Sequence, residues 1–226
     1  MNAAMKDETL YLITKADDLG SSESANRAFI DGYRRGILRN GVIMMPCAYA
    51  RDAAELFRNE NGFSMGLHLT MNAEWDHVKW GPVLPAEKVP SLVDQNGYFF
   101  QTTQLLHDNK PRMEEFLAEM QAQLDSARAN GLDIKYADAH MNFPWVLDGL
   151  GEEMRNWCER NGLACDADDF EHLPQADCGG DSVERLIARL QKAKAGLYYI
   201  HMGHPAYDTP EMRTLGHMGY ENVAEE

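Results

Sequence analysis

The chain has 226 residues, 44% of them hydrophobic, and carries 36 Asp and Glu against 21 Lys and Arg, a formal net charge of −15. That length and apolar content suit one folded α/β domain with a sizeable core, expected to span residues 1–226. The acidity argues against a nucleic-acid partner or an anionic membrane surface, because such a surface repels polyanions.

No stretch reaches the length of a membrane span, and the first residues, M-N-A-A-M-K-D-E-T-L, lack an apolar leader core. Cys47, Cys158, Cys165 and Cys178 form no C-x-x-C pair and no dense disulfide pattern. The expectation is a protein of the reducing cytoplasm. A homodimer is compatible with the sequence.

Residues 10–13 are apolar and run through Thr14 toward the adjacent carboxylates Asp17 and Asp18, with Gly20 behind them. This pattern predicts a buried strand that ends in an acidic turn. Ser21 and Ser22 precede a helix over 23–36, where Ala25, Phe29, Ile30 and Tyr33 recur at helical spacing. A strand over 42–45, a short helix over 51–58 and a strand over 63–70 follow.

Residues 71–110 hold Trp75, Trp80 and three prolines, Pro82, Pro85 and Pro90, without a helical period. A stretch this long without clear elements is read as a lid or a substrate-binding loop. Regular structure is predicted again as a helix over 112–130 and a strand over 134–139. A helix over 147–161 and a short strand over 163–165 come next. After an acidic loop over 166–180, a helix spans 182–195 and a strand 197–201. The tail from 206 reads as polar with no core face. The strand–helix alternation predicts parallel β/α units, in an open sheet or a closed barrel.

Four strand-like runs end in groups that bind metals or move protons: Asp17 and Asp18, then His68, then Asp138 and His140, then His201 and His204. Each has a plainer reading as a turn residue or a satisfied histidine. Neighbouring parallel strands bring their C-terminal ends together, so the groups are placed to converge. Imidazole with carboxylate suits zinc or a similar divalent ion. Two His and one Asp leave a coordination position open for water. His204 is a candidate proton donor. His77, His107, His172 and His217 lie in polar stretches and are read as surface residues. Trp75, Trp80, Tyr98, Phe99 and Phe100 are candidates for an aromatic ligand-binding surface, with ordinary core or loop anchoring as the plainer reading.

These stretches resemble the YdjC-like family, the chitooligosaccharide deacetylases. The matches are A-D-D-L-G at 16–20, G-L-H-L-T at 66–70, V-P-S-L-V-D-Q-N-G-Y-F at 89–99, D-A-H at 138–140 and H-P at 204–205, in the family's order. The resemblance implies a distorted (β/α) barrel similar to polysaccharide deacetylases. It implies one divalent ion, zinc or magnesium, held by Asp18, His68 and His140, with Asp17 as general base. It also implies hydrolysis of acetyl from N-acetylated sugars or oligosaccharides as substrates.

The chain departs from the family in two places. Asn142 stands where relatives often carry a second His of a D-x-H-x-H pattern. The sequence also ends soon after the H-P motif, where relatives continue through another helix and strand, so a barrel incomplete at its C-terminus is expected. Two other functions stay open on the residues alone: a metal-dependent hydrolase of another amide or ester, and a non-catalytic sugar-binding protein on the same fold. A phosphoesterase is disfavoured, because no basic cluster or Gly-rich loop adjoins these motifs.

Overall fold

The first apolar run does not stop before the acidic pair. Strand β1 spans Tyr11–Leu19 and carries both carboxylates inside it. The interruption expected at a turn is instead a β-bulge. Ala16 faces Gly41 and Leu19 faces Ile43, so three steps on β1 match two on its neighbour. Asp18 absorbs the extra residue at φ +74°, a left-handed conformation that Asp tolerates better than most residues.

The structure, a computed structural model, describes residues 9–165, 170–176, 179 and 182–215. Residues 166–169, 177, 178 and 180 of the acidic stretch, Cys178 among them, lie outside the described residues, as do His217 and the end of the tail.

Helix α1 (Glu23–Arg35) starts where the serines predict: the Ser22 hydroxyl accepts the N–H of Ala25. It buries Ala25, Phe29 and Ile30. Asn26 ties its start to the site, since its side chain accepts the Gly20 N–H at 2.8 Å and donates to the Tyr49 carbonyl at 3.0 Å. Then come β2 (Asn40–Ile43), α2 (Ala50–Phe57) and β3 (Ser64–Leu69). After them lie a 3-10 turn (Ala86–Lys88), α3 (Thr103–Asp108), α4 (Met113–Ala129) and β4 (Tyr136–Ala139). A 3-10 segment (His140–Val146) leads to α5 (Leu150–Arg160), β5 (Ala164–Cys165), β6 (Glu171–His172), α6 (Ser182–Lys192), β7 (Tyr198–Gly203) and α7 (Pro210–Thr214).

The sheet order is β5-β4-β3-β2-β1-β7-β6, and every pairing is parallel. This is the order of a (β/α) barrel, with helices between successive strands except for the link from β5 to β6, where none is described. The last long strand is joined to the first, in register from Tyr11 opposite Tyr198 to Ala16 opposite Gly203. Among the described residues no ladder joins β5 to β6, so the sheet is open there. All strand C-termini share one end of the barrel, which is where the acidic pair, His68 and His140 are delivered.

The 71–110 stretch has more structure than its sequence suggests, with the 3-10 turn, α3 and a Val93–Phe99 bridge. Helix α4 moors it. Glu115, Glu119 and Gln123 recur every four residues and are 3%, 0% and 0% exposed. Glu119 accepts the N–H groups of Val83 and Leu84, Glu115 that of Ser91, and Gln123 clasps the backbone of Thr70. The helix thus turns polar side chains inward to accept the N–H groups of Val83, Leu84 and Ser91 in the loop.

The tail also differs from expectation. Ala206, Met212 and Leu215 are buried. Glu211 accepts the Ser24 N–H at 3.1 Å and the Ser24 hydroxyl at 2.9 Å, sitting on the first turn of α1. Leu215 accepts the N–H of His77. The segment therefore spans from α1 to the 71–110 stretch.

Candidate active site

His68 on β3 and Asp138 on β4 are register partners, so their side chains meet. His68 Nδ1 lies 2.5 Å from Asp138 Oδ1. With a carboxylate as acceptor, Nδ1 keeps its proton, and Nε2 is the nitrogen that would offer a lone pair to a cation. That nitrogen is 3.3 Å from Asp18 Oδ1.

His140, just past β4, mirrors the arrangement. Its Nε2 lies 2.9 Å from Glu74 Oε2, and its Nδ1 is 3.3 Å from the same Asp18 oxygen. The two rings meet edge to face with centroids 5.0 Å apart. Met141 and Asn142, at φ +52° and +49°, turn the chain sharply away after His140.

The ligand atoms of Asp18, His68 and His140 all lie within 4.8 Å of one another. Asp18 Oδ1 is buried and makes no hydrogen bond. Donors about 2.0–2.1 Å from a tetrahedral zinc lie roughly 3.3–3.4 Å from each other. The two 3.3 Å separations match that edge, so these side chains fit a small divalent ion.

The charge pattern agrees. Burial alone would raise the Asp18 pKa, but the facing imidazoles outweigh it and hold the carboxyl well below its ordinary range. Burial would lower the His140 pKa, yet Glu74 and Asp18 push it up to about 9. His68 is raised well above its usual value in the same way, by Asp138 and Asp18. A cluster that attracts protons this strongly attracts other cations too.

Asp17 stands beside the trio, 6% exposed, and its Oδ1 has no hydrogen-bond partner. Burial raises its pKa. Lys15 Nζ is 3.3 Å from that oxygen and ion-paired with Asp138.

These groups line a cavity of about 700 Å³ together with Trp75, Asn142, Arg155 and His204. The structure thus brings Asp17, Asp18, His68, His140, Asn142 and His204 to one space. The two tryptophans separate. Trp75 reaches the cavity wall. Trp80 is packed edge to face behind it at 5.2 Å, and its indole N–H donates to the Asn72 carbonyl. Trp80 is not among the residues on that wall, nor are Tyr98, Phe99 and Phe100. His107, read as surface, is exposed but bonds the Val146 carbonyl at 2.8 Å and lies against Trp145.

Lys15, Glu74 and Arg155 were not foreseen as site residues. Lys15 had a signal, since it sits two positions before Asp17 in a strand and therefore shares its face. Glu74 lies in a stretch without periodicity and had none.

A parallel barrel with a carboxylate–imidazole trio at the C-terminal ends of its strands places the molecule among proteins with the polysaccharide-deacetylase fold. The chain belongs to the YdjC-like family: the family model described as "YdjC-like protein" matches residues 11–225. A "Carbohydrate deacetylase" of Thermoanaerobacter pseudethanolicus is 31% identical over 89% of this chain and 83% of its own length. A protein of Enterococcus faecalis V583 labelled a cellobiose-phosphate cleavage protein has the same fold, with a TM-score of 0.76 at 23% identity over 95% of this chain and 89% of the other. The catalytic domain of a peptidoglycan N-acetylglucosamine deacetylase from Eubacterium rectale aligns more distantly, with a TM-score of 0.50 at 10% identity over 98% and 83%.

Proposed function

We infer that this chain is a metal-dependent carbohydrate deacetylase, a single YdjC-like domain that hydrolyses the acetamide of N-acetylated sugars of the chitooligosaccharide type. The observation that carries the reading is Asp18 Oδ1, buried without a hydrogen bond and 3.3 Å from one nitrogen of each of two histidines. The name of the Thermoanaerobacter relative supplies the substrate class.

Asp18, His68 and His140 would hold one divalent ion, zinc or magnesium. Such an ion, when bound, supplies Lewis acidity and lowers the pKa of water. Asp138 and Glu74 hold one nitrogen of each imidazole, so that the nitrogen facing Asp18 is the one that would give up its proton and offer a lone pair to the ion. Asp17, beside them and raised by burial, accepts the proton of the attacking water as general base. His204, from the connection after β7, faces the same cavity and returns a proton to the leaving amine. Trp75 offers an apolar wall for a sugar ring, and Asn142 a polar contact. A neutral sugar suits a chain of this acidity, and no described helix is long and apolar enough to cross a membrane. The cytoplasm is the compartment that goes with this reading.

Acetate release from N-acetylated chitooligosaccharides tests it, using protein stripped of metal and reloaded with zinc or magnesium. Metal-dependent acetate release is expected. Release only from simple esters or other amides would redirect the substrate class. Tight sugar binding without turnover would identify a non-catalytic binder.

A further inference from the structure

Beside the trio, a second group of ligand atoms, from Asp17, His68 and Asp138, also lies within 4.8 Å of one another. The two groups overlap in His68. A neutral imidazole gives one lone pair, so the ring serves one group at a time.

An ammonium stands in the second group. Lys15 Nζ is ion-paired with Asp138 Oδ2 and is 3.3 Å from Asp17 Oδ1. Lys15 belongs to β1 and Asp138 to β4, with β2 and β3 between them in the sheet. The side chain therefore crosses the barrel interior to reach its partner. It is 5% exposed, and lysine is almost never buried so fully unless paired. Its pairing fixes one Asp138 oxygen, which leaves the other to accept from His68 Nδ1. That bond in turn aims His68 Nε2 at Asp18.

We propose that Lys15 is a resident cation that decides which of the two overlapping groups takes the metal. By standing between Asp17 and Asp138 it excludes a divalent ion from them and confines it to Asp18, His68 and His140. Asp17 is thereby kept off the metal. The adjacent carboxylates Asp17 and Asp18 thus acquire different roles through a positioning residue two places earlier on the same strand. This rests on the metal-site reading of the preceding section.

The test is a double-mutant cycle read as metal affinity by titration with zinc or cobalt, without substrate. In the wild-type background, Asp17→Asn should change the metal dissociation constant less than about 3-fold, since Asp17 is no ligand there. In Lys15→Met, which keeps the buried stem, the vacated carboxylates become ligands. Asp17→Asn should then weaken binding about 10-fold or more, the scale at which metal partners count. Lys15→Gln, uncharged but still able to bond Asp138, should behave like Lys15→Met and serves if that variant folds poorly. Lys15→Arg should restore the wild-type pattern. An equal effect of Asp17→Asn in the charged and uncharged backgrounds overturns the proposal while leaving the metal site intact. A wild-type protein that binds no divalent ion overturns both.

Discussion

Glu74 Oε2 lies 2.9 Å from His140 Nε2, while the other nitrogen of that ring faces Asp18. One carboxylate from the long stretch after β3 therefore sets the orientation and the tautomer of an imidazole delivered by β4. Glu74→Ala should weaken binding of a divalent ion by about 10–100-fold, the usual cost of losing such a supporting carboxylate. Isothermal titration of stripped protein measures it. Unchanged affinity would make the Glu74–His140 contact incidental.

Asp17 and Asp18 should separate under mutation. Asp18→Asn should cost metal, because an amide is a poorer ligand. Asp17→Asn should keep metal and lose activity by about 10²–10⁴-fold, the worth of a positioned general base. Burial raises the Asp17 pKa, and a base works only when deprotonated. The acid limb of the wild-type profile should therefore lie above the ordinary carboxylate range and disappear in Asp17→Asn. Normal turnover in that variant would remove Asp17 from the mechanism.

The two tryptophans should fail in different ways. Trp75→Ala should raise KM and also lower the thermal midpoint, because it is a wall of the cavity and only 7% exposed. Trp80→Ala should cost about 3–5 kcal/mol of stability, the usual range for emptying a buried aromatic site. Calorimetry beside initial rates separates them. A stable Trp80→Ala with raised KM would return Trp80 to the substrate.

Glu119 gives a pH signature. Glu119→Ala removes the acceptor of two backbone N–H groups and the Gln123 amide, and should cost about 2–4 kcal/mol. Burial raises the Glu119 pKa above its unfolded value. Its contribution is then full below the unfolded value and declines as pH rises through the folded one. The gap in urea midpoint between wild type and Glu119→Ala should narrow from acid to neutral pH. A gap that widens would contradict the raised pKa.

The sequence showed the strand ends better than what surrounds them. His68, His140 and the acidic pair stand where apolar runs stop, and a period of two or an abrupt polar residue is readable there. The bulge at Asp18 was not, because nothing in A-D-D-L distinguishes an extra residue within a strand from a turn after it. Helix α4 was legible from its length and Gly131, yet its inward-facing Glu115 and Glu119 look like solvated charges until the loop they bind is seen. The tail failed for a similar reason. Met212 and Leu215 are too few to show a core face, and Glu211 is an ordinary surface glutamate unless α1 begins beside it.

The pairing of β1 with β7 joins the two ends of the described chain. As the chain leaves the ribosome, β1 finds β2 early but waits until β7 has been made before its other edge is covered. Contacts so distant in sequence are slow to form, and an uncovered strand edge invites pairing with other chains. Tyr11, Leu12 and Ile13 lie on that edge. Substitutions that weaken β7 should consequently lower the yield of folded protein more than the turnover of the molecules that do fold.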